Sequence, residues 1–259
     1  MAEKLIGPNK GKKLVIKVDG NKYRRFPIKT AVFKKGDDYV HKISRYFTEN
    51  IKILAETKNL DDGQYFLVVA EKIVAIAQGR SYFLKEINPG FWAKFLSNYV
   101  TKTPYGIGLG SPWTMELAIK EIGLVRILLA TMVAAVTRPF GIKGLFYKIA
   151  GQEAAAIDGP TAYSLYPSNM SAKLGPKDPQ QVADKIKSEI LNPKSQINSK
   201  FKISHSNFLG VVIIDANDLG QKVLGNSTGL DNQLIEKIFS DNPMGQADEQ
   251  TPMVIVVRC

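Results

Sequence analysis

The residues best placed by type and position to do chemistry are five carboxylates beside apolar stretches of the chain: Asp158, Asp215, Asp218, Asp248 and Glu249. Hard divalent cations take oxygen ligands, and Mg²⁺ is typically held by one or two carboxylates together with substrate phosphates. Phosphoryl transfer needs such a cation, and basic groups as well, to offset the charge of the phosphate. The sequence therefore contains the parts of a nucleotide and metal site, although aspartate is also common at turns for structural reasons alone.

Other kinds of site find little support. The two histidines, His41 and His205, have no cysteine or HExxH motif near them, so we expect no zinc site. The only cysteine is Cys259, which excludes a disulfide within the chain. Three alternating glycines in residues 105–112 look like a phosphate loop, but neither GxxxxGK[ST] nor GxGxxG is present. We interpret them as the entry loop of a helix capped by Ser111.

Two predicted strands would carry charged side chains to the end of a sheet. Residues 66–70 read as a strand buried on both faces, and Glu71 and Lys72 follow it directly. Residues 211–214 have the same character and end in Asp215. Ligands of α/β sheets favour the carboxyl ends of strands, so these charges could form the wall of a polar site. A solvated corner between two core segments is the alternative interpretation of Glu71 and Lys72.

The flanking sequence predicts further strands and helices. Residues 14–18 read as a strand that ends in a hairpin turn at residues 19–21. Residues 36–38 begin a helix whose first N–H groups are capped by an aspartate. Asp178 with Gln181 predicts a capping box at the start of another helix.

Residues 122–136 are apolar on nearly all sides. The segment falls short of the ~20 residues that a membrane span requires and carries Arg126, so we interpret it as a central core helix. The aromatic cluster of Phe91, Trp92 and Phe95 is interpreted as packing. Both interpretations place these apolar side chains inside the protein.

The chain is strongly basic, with a net charge of +11 and an isoelectric point near 9.5. Nucleic acid, an anionic membrane face or a polyphosphate-bearing small molecule could match this charge. Because no Arg-Gly or aromatic-basic repeat accompanies it, we expect a solvated basic face and no nucleic-acid partner. Residues 1–13 lack the apolar core of a signal peptide, so we predict a loose basic lead-in and a cytoplasmic protein. We also expect no membrane association, and a membrane-surface protein that uses residues 122–136 stays open as an alternative.

Four segments, taken in order, resemble the coenzyme F420-0:L-glutamate ligase (gamma-glutamyl ligase) family. The first two lie in residues 26–38 (Phe-Pro-Ile-Lys, then Lys-Gly-Asp-Asp) and residues 67–80 (Leu-Val-Val-Ala, then Gly-Arg). The third is Ile-Asp-Gly-Pro-Thr at 157–161 with the later Asp-Pro at 178–179, and the last runs from residue 212 to residue 258. The order and spacing of these segments carry the resemblance, which covers most of the chain.

The resemblance implies an α+β fold with mixed, largely antiparallel sheets and packed helices, in two interlocked subdomains within residues 14–259. It implies a homodimer that joins L-glutamate to a carboxylate-bearing small molecule such as coenzyme F420-0. The reaction would use GTP or ATP and Mg²⁺ or Mn²⁺, and would pass through an acyl phosphate.

The resemblance also assigns residues, although none stands out as a general base. Asp158 matches one metal-ligand aspartate, and Asp215, or else Asp218 beside Asn217, matches another. The residues that match nucleotide-contacting segments are Pro27, Ile28, Lys29, Thr30, Glu71, Lys72, Thr161, Gln246 and Glu249.

The chain also departs from the family pattern. Ile76 stands where the family typically has a nucleotide-binding lysine, and Thr161 stands where it has an asparagine. The segment 220–244 is much shorter than its family counterpart. A nucleotide- or anion-binding protein with a degraded ligase site is therefore the alternative to an active ligase.

Overall fold

The computed structural model describes residues 7–60, 63–100, 108–142, 144–160, 166, 168–192, 207–217, 220–245 and 249–259. The chain divides into two compact units. Unit 1 comprises Met1–Gln78 and Pro176–Cys259, and unit 2 comprises Gly79–Gly175.

Both units contain strands and helices, and the following bounds refer to the described residues. The strands are β1 (Val15–Val18), β2 (Asn21–Ile28), β3 (Tyr65–Ala70), β4 (Ser81–Phe83), β5 (Ser171–Lys173), β6 (Phe208–Asn217), β7 (Gly220–Asn226) and β8 (Met253–Arg258). The α-helices are α1 (Tyr39–Glu56), α2 (Glu71–Ala77), α3 (Phe91–Ser97), α4 (Pro112–Ile122), α5 (Leu124–Thr137), α6 (Leu145–Ala150), α7 (Gln152–Ala155), α8 (Pro179–Leu191) and α9 (Asn232–Ile238).

Unit 1 is built on a six-stranded sheet in the order β1-β2-β8-β3-β6-β7. Neighbouring strands are antiparallel except β3 and β6, which run parallel. In unit 2, β4 and β5 form a two-stranded antiparallel ribbon. The predicted α+β class with mixed, largely antiparallel sheets is confirmed.

The central strands of unit 1 are covered on both faces. Leu67 and Val69 of β3 pack with α1 and α8, whereas Phe66 and Val68 pack with α9. Successive side chains of a strand point to opposite faces, so a strand that is apolar at every position must be covered on both. The prediction of a doubly buried strand at residues 66–70 is confirmed, and β6 has the same environment.

Local turn and cap chemistry follows the sequence in three of four places. Ser111 caps α4 as predicted, because its hydroxyl accepts a hydrogen bond from the backbone N–H of Thr114. Asp19 and Gly20 both have positive φ, as a two-residue hairpin turn between β1 and β2 requires. Asp38 caps α1 by accepting a hydrogen bond from the backbone N–H of His41. The predicted capping box at Asp178 is wrong. Its φ of 48° is left-handed, an N-cap residue normally has extended backbone, and its carboxylate makes no cap hydrogen bond.

The prediction of a loose lead-in is wrong for residues 7–13. Asn9 is buried, and its side-chain amide donates to the carbonyl of Pro243 and to the hydroxyl of Thr251. The backbone N–H of Lys13 donates to Asp241. This segment is therefore tied to the body of unit 1.

Unit 2 packs α3 to α7 and the β4–β5 ribbon around a core of its own. The predicted helix at residues 122–136 is present as α5, but its assignment to the core is wrong. Its only fully buried side chains are Ile127 and Ala130, while Val125 and Met132 are 72% and 62% exposed. A sequence that is apolar all round does not encode which side of a helix is covered. The rings of Phe91, Trp92 and Phe95 do pack against one another, but all three side chains are exposed and none lies in the core.

Candidate functional site

One end of the unit 1 sheet brings together four segments that are far apart in the sequence. Ile28, at the end of β2, pairs with Met253 at the start of β8, and Met253 also pairs with Val69 near the end of β3. On the other side of β3, Ala70 pairs with Ile214 of β6. The ends of β2, β3 and β6 and the start of β8 therefore meet there, and we call this region the site edge.

Backbone hydrogen bonds extend the site edge beyond the strands. The N–H of Thr30 donates to the carbonyl of Gln250 at 2.9 Å, and the N–H of Ala70 donates to the carbonyl of Pro252 at 2.8 Å. Residues 27–30, 71–72 and 249–251, which include seven of the nine predicted nucleotide-contacting residues, are thus held side by side at this edge.

The four predicted residues of the first segment, 27–30, differ in their exposure to solvent. Pro27, Ile28 and Thr30 are buried, and Ile28 belongs to the core shared with α1 and α8. Lys29 is half-buried, so it is the residue of the four whose side chain reaches the surface. Lys29 directly follows the end of β2 and thus lies at the site edge.

The charges after β3 mark a change from strand to helix. The chain leaves the sheet at Ala70, which is extended, and enters α2 at Glu71. Glu71 and Lys72 are half-buried, whereas Ile73, Val74, Ala75 and Ala77 anchor the helix in the core. Ile76 lies one helical turn after Lys72, on the same side of α2.

Asp215 lies within β6 and not in the turn after it. It is half-buried, and it continues the row of Val211 and Ile213, which faces the core shared with α1 and α8. It comes one residue after the Ala70–Ile214 pair, next to the start of α2, and it is opposite Lys222 of β7. The parallel pairing of β3 and β6 therefore brings Asp215 to the site edge, as the sequence predicts.

Thr251, shortly before β8, is held by a network that the sequence does not reveal. The Thr251 hydroxyl donates to the carbonyl of Met244 at 2.6 Å and accepts from the amide of Asn9 at 2.7 Å. The carboxylate of Glu249 lies so close to Gly245 that a Cβ there would approach its atoms to 2.4–2.7 Å. Asn9 is the residue that sequence reasoning missed, because an asparagine in a basic stretch carries no signal of burial.

Asp158 belongs to unit 2. It exchanges backbone hydrogen bonds with Lys173 of β5, and its Oδ2 accepts from the Lys173 ammonium at 3.2 Å. The Asp158 side chain is 53% exposed, whereas that of Lys173 is only 6% exposed. The carboxylate therefore neutralises a nearly buried cation. Four other predicted or candidate residues, Thr161, Asp218, Gln246 and Asp248, lie outside the described residues.

The donor set at the site edge suits a hard cation shared with phosphate. Within the described residues, no group of three His, Cys, Asp or Glu side chains could hold a metal ion by itself. Mg²⁺ does not need such a group, because one or two carboxylates and substrate phosphates suffice. The carboxylate of Asp215, within β6, and that of Glu71, which directly follows the neighbouring strand β3, are donors of that kind.

A mixed sheet with lysines and carboxylates collected at one end defines an α+β protein with a candidate phosphate and metal site. Comparison with models of known protein families identifies the family within this class. The model of the F420-0:Gamma-glutamyl ligase family matches residues 27–217, and the chain belongs to that family. The predicted family is thereby confirmed. Membership implies a ligase role, and members of the family are in general nucleotide-dependent ligases. No curated protein matches the chain.

Proposed function

We propose that the chain is a GTP- and divalent-metal-dependent ligase that forms an amide bond between L-glutamate and a carboxylate acceptor such as coenzyme F420-0. The observation that carries the proposal is the site edge, where Lys29, Glu71, Lys72 and Asp215 come together from three separate segments. Lys29 and Glu71 directly follow β2 and β3, and Asp215 lies within β6, so the backbone at these three positions is held by the sheet.

Each charge has a role in this reaction. Lys29 and Lys72 would offset the negative charge of the nucleotide phosphates. Asp215, and with it Glu71, would hold Mg²⁺ or Mn²⁺, which supplies charge neutralisation at the transferring phosphate when it is bound. The family resemblance adds Asp158 and Asp218 as candidate ligands.

The proposed chemistry has two steps. An oxygen of the ionised acceptor carboxylate attacks the γ-phosphorus of GTP, an acyl phosphate forms, and GDP leaves with the bonding electron pair. The amino nitrogen of glutamate then attacks the acyl carbon, phosphate leaves, and the nitrogen loses a proton. The first step needs no general base, because the attacking carboxylate is already ionised.

Nucleotide binding is tested by thermal melting with GTP and with ATP, each with and without Mg²⁺ or Mn²⁺. A ligand that binds only the folded state stabilises it by RT ln(1 + [L]/Kd), or roughly 2.7 kcal/mol at ~100 Kd. We expect a metal-dependent rise in the melting temperature, larger for GTP. No shift with either nucleotide would contradict the proposal.

Turnover is tested by the mass gain of one glutamyl residue on the acceptor. Asp215→Asn should abolish turnover without lowering the melting temperature, whereas Asp19→Asn, at the opposite end of the sheet, should leave turnover unchanged. Lys29→Met and Lys22→Met form a second matched pair, because Lys22 lies at the beginning of β2 and Lys29 directly follows its end. Full turnover by Asp215→Asn would remove the assignment.

A non-catalytic nucleotide- or anion-binding homologue is the second candidate. The observation that favours it is Ile76, an apolar side chain one turn beyond Lys72 in α2. For this candidate, Ile76→Lys should tighten nucleotide binding in the melting assay, and an unchanged affinity would count against a simple loss at this position. For either candidate we further propose, from the family resemblance, that the protein is a homodimer and that it is located in the cytoplasm. Sedimentation velocity would test the dimer.

A further inference from the structure

Exposed large apolar side chains are concentrated in unit 2. Within the described residues, all of them belong to that unit except Val15 and Val32 of unit 1. The aromatic side chains of α3 and the turn after it contribute a row, in which the ring of Phe95 lies 6.0 Å from that of Phe91 and 5.1 Å from that of Tyr99. Contiguous exposed apolar surface usually marks a protein or membrane interaction site.

The most regular part of this surface is a line of four exposed residues on α5, which we call the α5 stripe: Val125, Leu129, Met132 and Val136. Their spacing of four, three and four residues places them on one side of the helix. The buried residues Ile127 and Ala130 lie on the other side. Helix α5 is therefore apolar on the side that packs and on the side that faces solvent.

The one charged side chain of α5 is that of Arg126, whose Nε donates to the carbonyl of Ile149, and its two threonines do little to change the apolar character. The hydroxyls of Thr131 and Thr137 donate to the carbonyls of Ile127 and Val133 within the helix. The exposed apolar surface continues beyond the helix through Phe140, which is 79% exposed, and Ile142. A surface helix of a globular protein normally has polar residues on the side that faces water. We therefore infer that a binding partner covers the α5 stripe.

The length of α5 fits a position along a surface and not across a bilayer. Its 14 residues span ~21 Å at 1.5 Å per residue, against a hydrocarbon core of ~30 Å. No helix in the described part of the chain is both long and apolar enough to cross a membrane.

The positive charge of residues 122–150 indicates which kind of partner binds the α5 stripe. From residue 122 to residue 150 the sequence has no aspartate or glutamate, and the described residues of this range include the cations Arg126, Arg138 and Lys148. A second copy of the same surface would bring like charges together, whereas an anionic lipid surface offers both apolar chains and opposite charge. We propose that the α5 stripe and its cations dock peripherally on an anionic lipid surface. This binding is separate from the proposed ligase activity and does not depend on it.

The test is sedimentation of the full chain with vesicles of phosphatidylcholine alone or mixed with phosphatidylglycerol, at low and high salt. We expect binding to the mixed vesicles that weakens with salt and is lost on phosphatidylcholine alone. The double variant Leu129→Glu, Met132→Glu should reduce this binding by about tenfold or more, because it places two charges in the apolar contact. The matched control is Val15→Glu, Val32→Glu, at exposed apolar positions of unit 1, and it should bind like the parent.

A second measurement covers the case in which the charged variant folds poorly. Met132→Cys in a Cys259→Ser background, labelled with an environment-sensitive fluorophore, should shift to the blue on mixed vesicles, and a label at Val15→Cys should not. Failure of the parent to bind mixed vesicles, or equal shifts at both labels, would overturn the proposal. Conversion of a dimer to a monomer by the double variant, without vesicle binding by the parent, would also overturn it and assign the stripe to self-association.

Discussion

Removing one partner of the buried ion pair between Arg25 and Asp241 should be one of the most destabilising single substitutions in unit 1. The Arg25 side chain is completely buried and donates to both carboxylate oxygens of Asp241. It also donates to the carbonyl of Ile238 at 2.8 Å and to that of Lys13. The guanidinium group thus joins β2 to the end of α9 and to the N-terminal segment.

Asp241→Ala leaves this guanidinium group buried without its counter-charge. Removing one partner of a buried pair typically costs 3–5 kcal/mol, and the Asp241 side chain is 31% exposed, so water can enter and the low end applies. We expect a loss of about 3 kcal/mol in the free energy of unfolding, measured by urea denaturation. Lys237→Ala is the control, because its ion pair with Asp19 is solvent-exposed and should contribute less than ~1 kcal/mol.

The pH dependence provides an independent check. Burial by itself raises the pKa of Asp241, but the hydrogen bond and the positive charge of Arg25 outweigh it, and the net pKa is lower than usual. The folded state therefore holds this proton less tightly than the unfolded state. The resulting stability is present above the unfolded pKa of ~4 and is lost as the pH falls through the lower folded value.

Wild-type protein should accordingly lose more stability than Asp241→Ala on acidification. Replacing the pair by Arg25→Met with Asp241→Leu should recover much of the loss, because the buried charge is then absent. The reasoning would be refuted if Asp241→Ala lost less than ~1 kcal/mol, or if it had the same acid dependence as the wild type.

Three further predictions concern unit 1. Gly225→Ala should destabilise the protein by about 1–3 kcal/mol in urea denaturation, because the new Cβ would lie 2.2 Å from the backbone oxygen of Pro179. Gly220→Ala, in open space on the same strand, should be close to neutral, and equal losses would contradict the packing argument. Burial raises the pKa of Tyr65 to about 12. The contribution of this neutral side chain to the free energy of unfolding is therefore fully present below pH ~10 and is lost as the pH rises toward 12. As the pH is raised above ~10, the urea midpoint of unfolding should therefore fall more steeply for the wild type than for Tyr65→Phe. An equal fall for both proteins would contradict the raised pKa of Tyr65. Asp38→Ala should lower stability by about 1 kcal/mol through loss of the α1 cap, a change that thermal melting would detect.

The family assignment and the strands β1, β3 and β6 were accessible from the sequence, whereas β7 was not predicted. The apolar runs of β3 and β6, the turn at Asp19 and Gly20 and the cap at Asp38 depend on neighbours within a few residues. Such features can be predicted from short sequence patterns, because they depend on local backbone conformation and on hydrogen bonds between nearby residues. The sequence also predicted that Asp215 lies at the end of a buried strand.

Tertiary structure alone decided which residues meet and which faces are covered. The convergence at the site edge depends on strand pairing between segments more than a hundred residues apart. The burial of Asn9, the pairing of Asp158 with Lys173 and the exposure of the α5 stripe are likewise set by distant packing. An apolar residue type states a preference for burial, but the partner that covers it comes from elsewhere in the chain or from outside it. For α5, which is apolar on both sides, unit 2 covers one side and leaves the other to a partner.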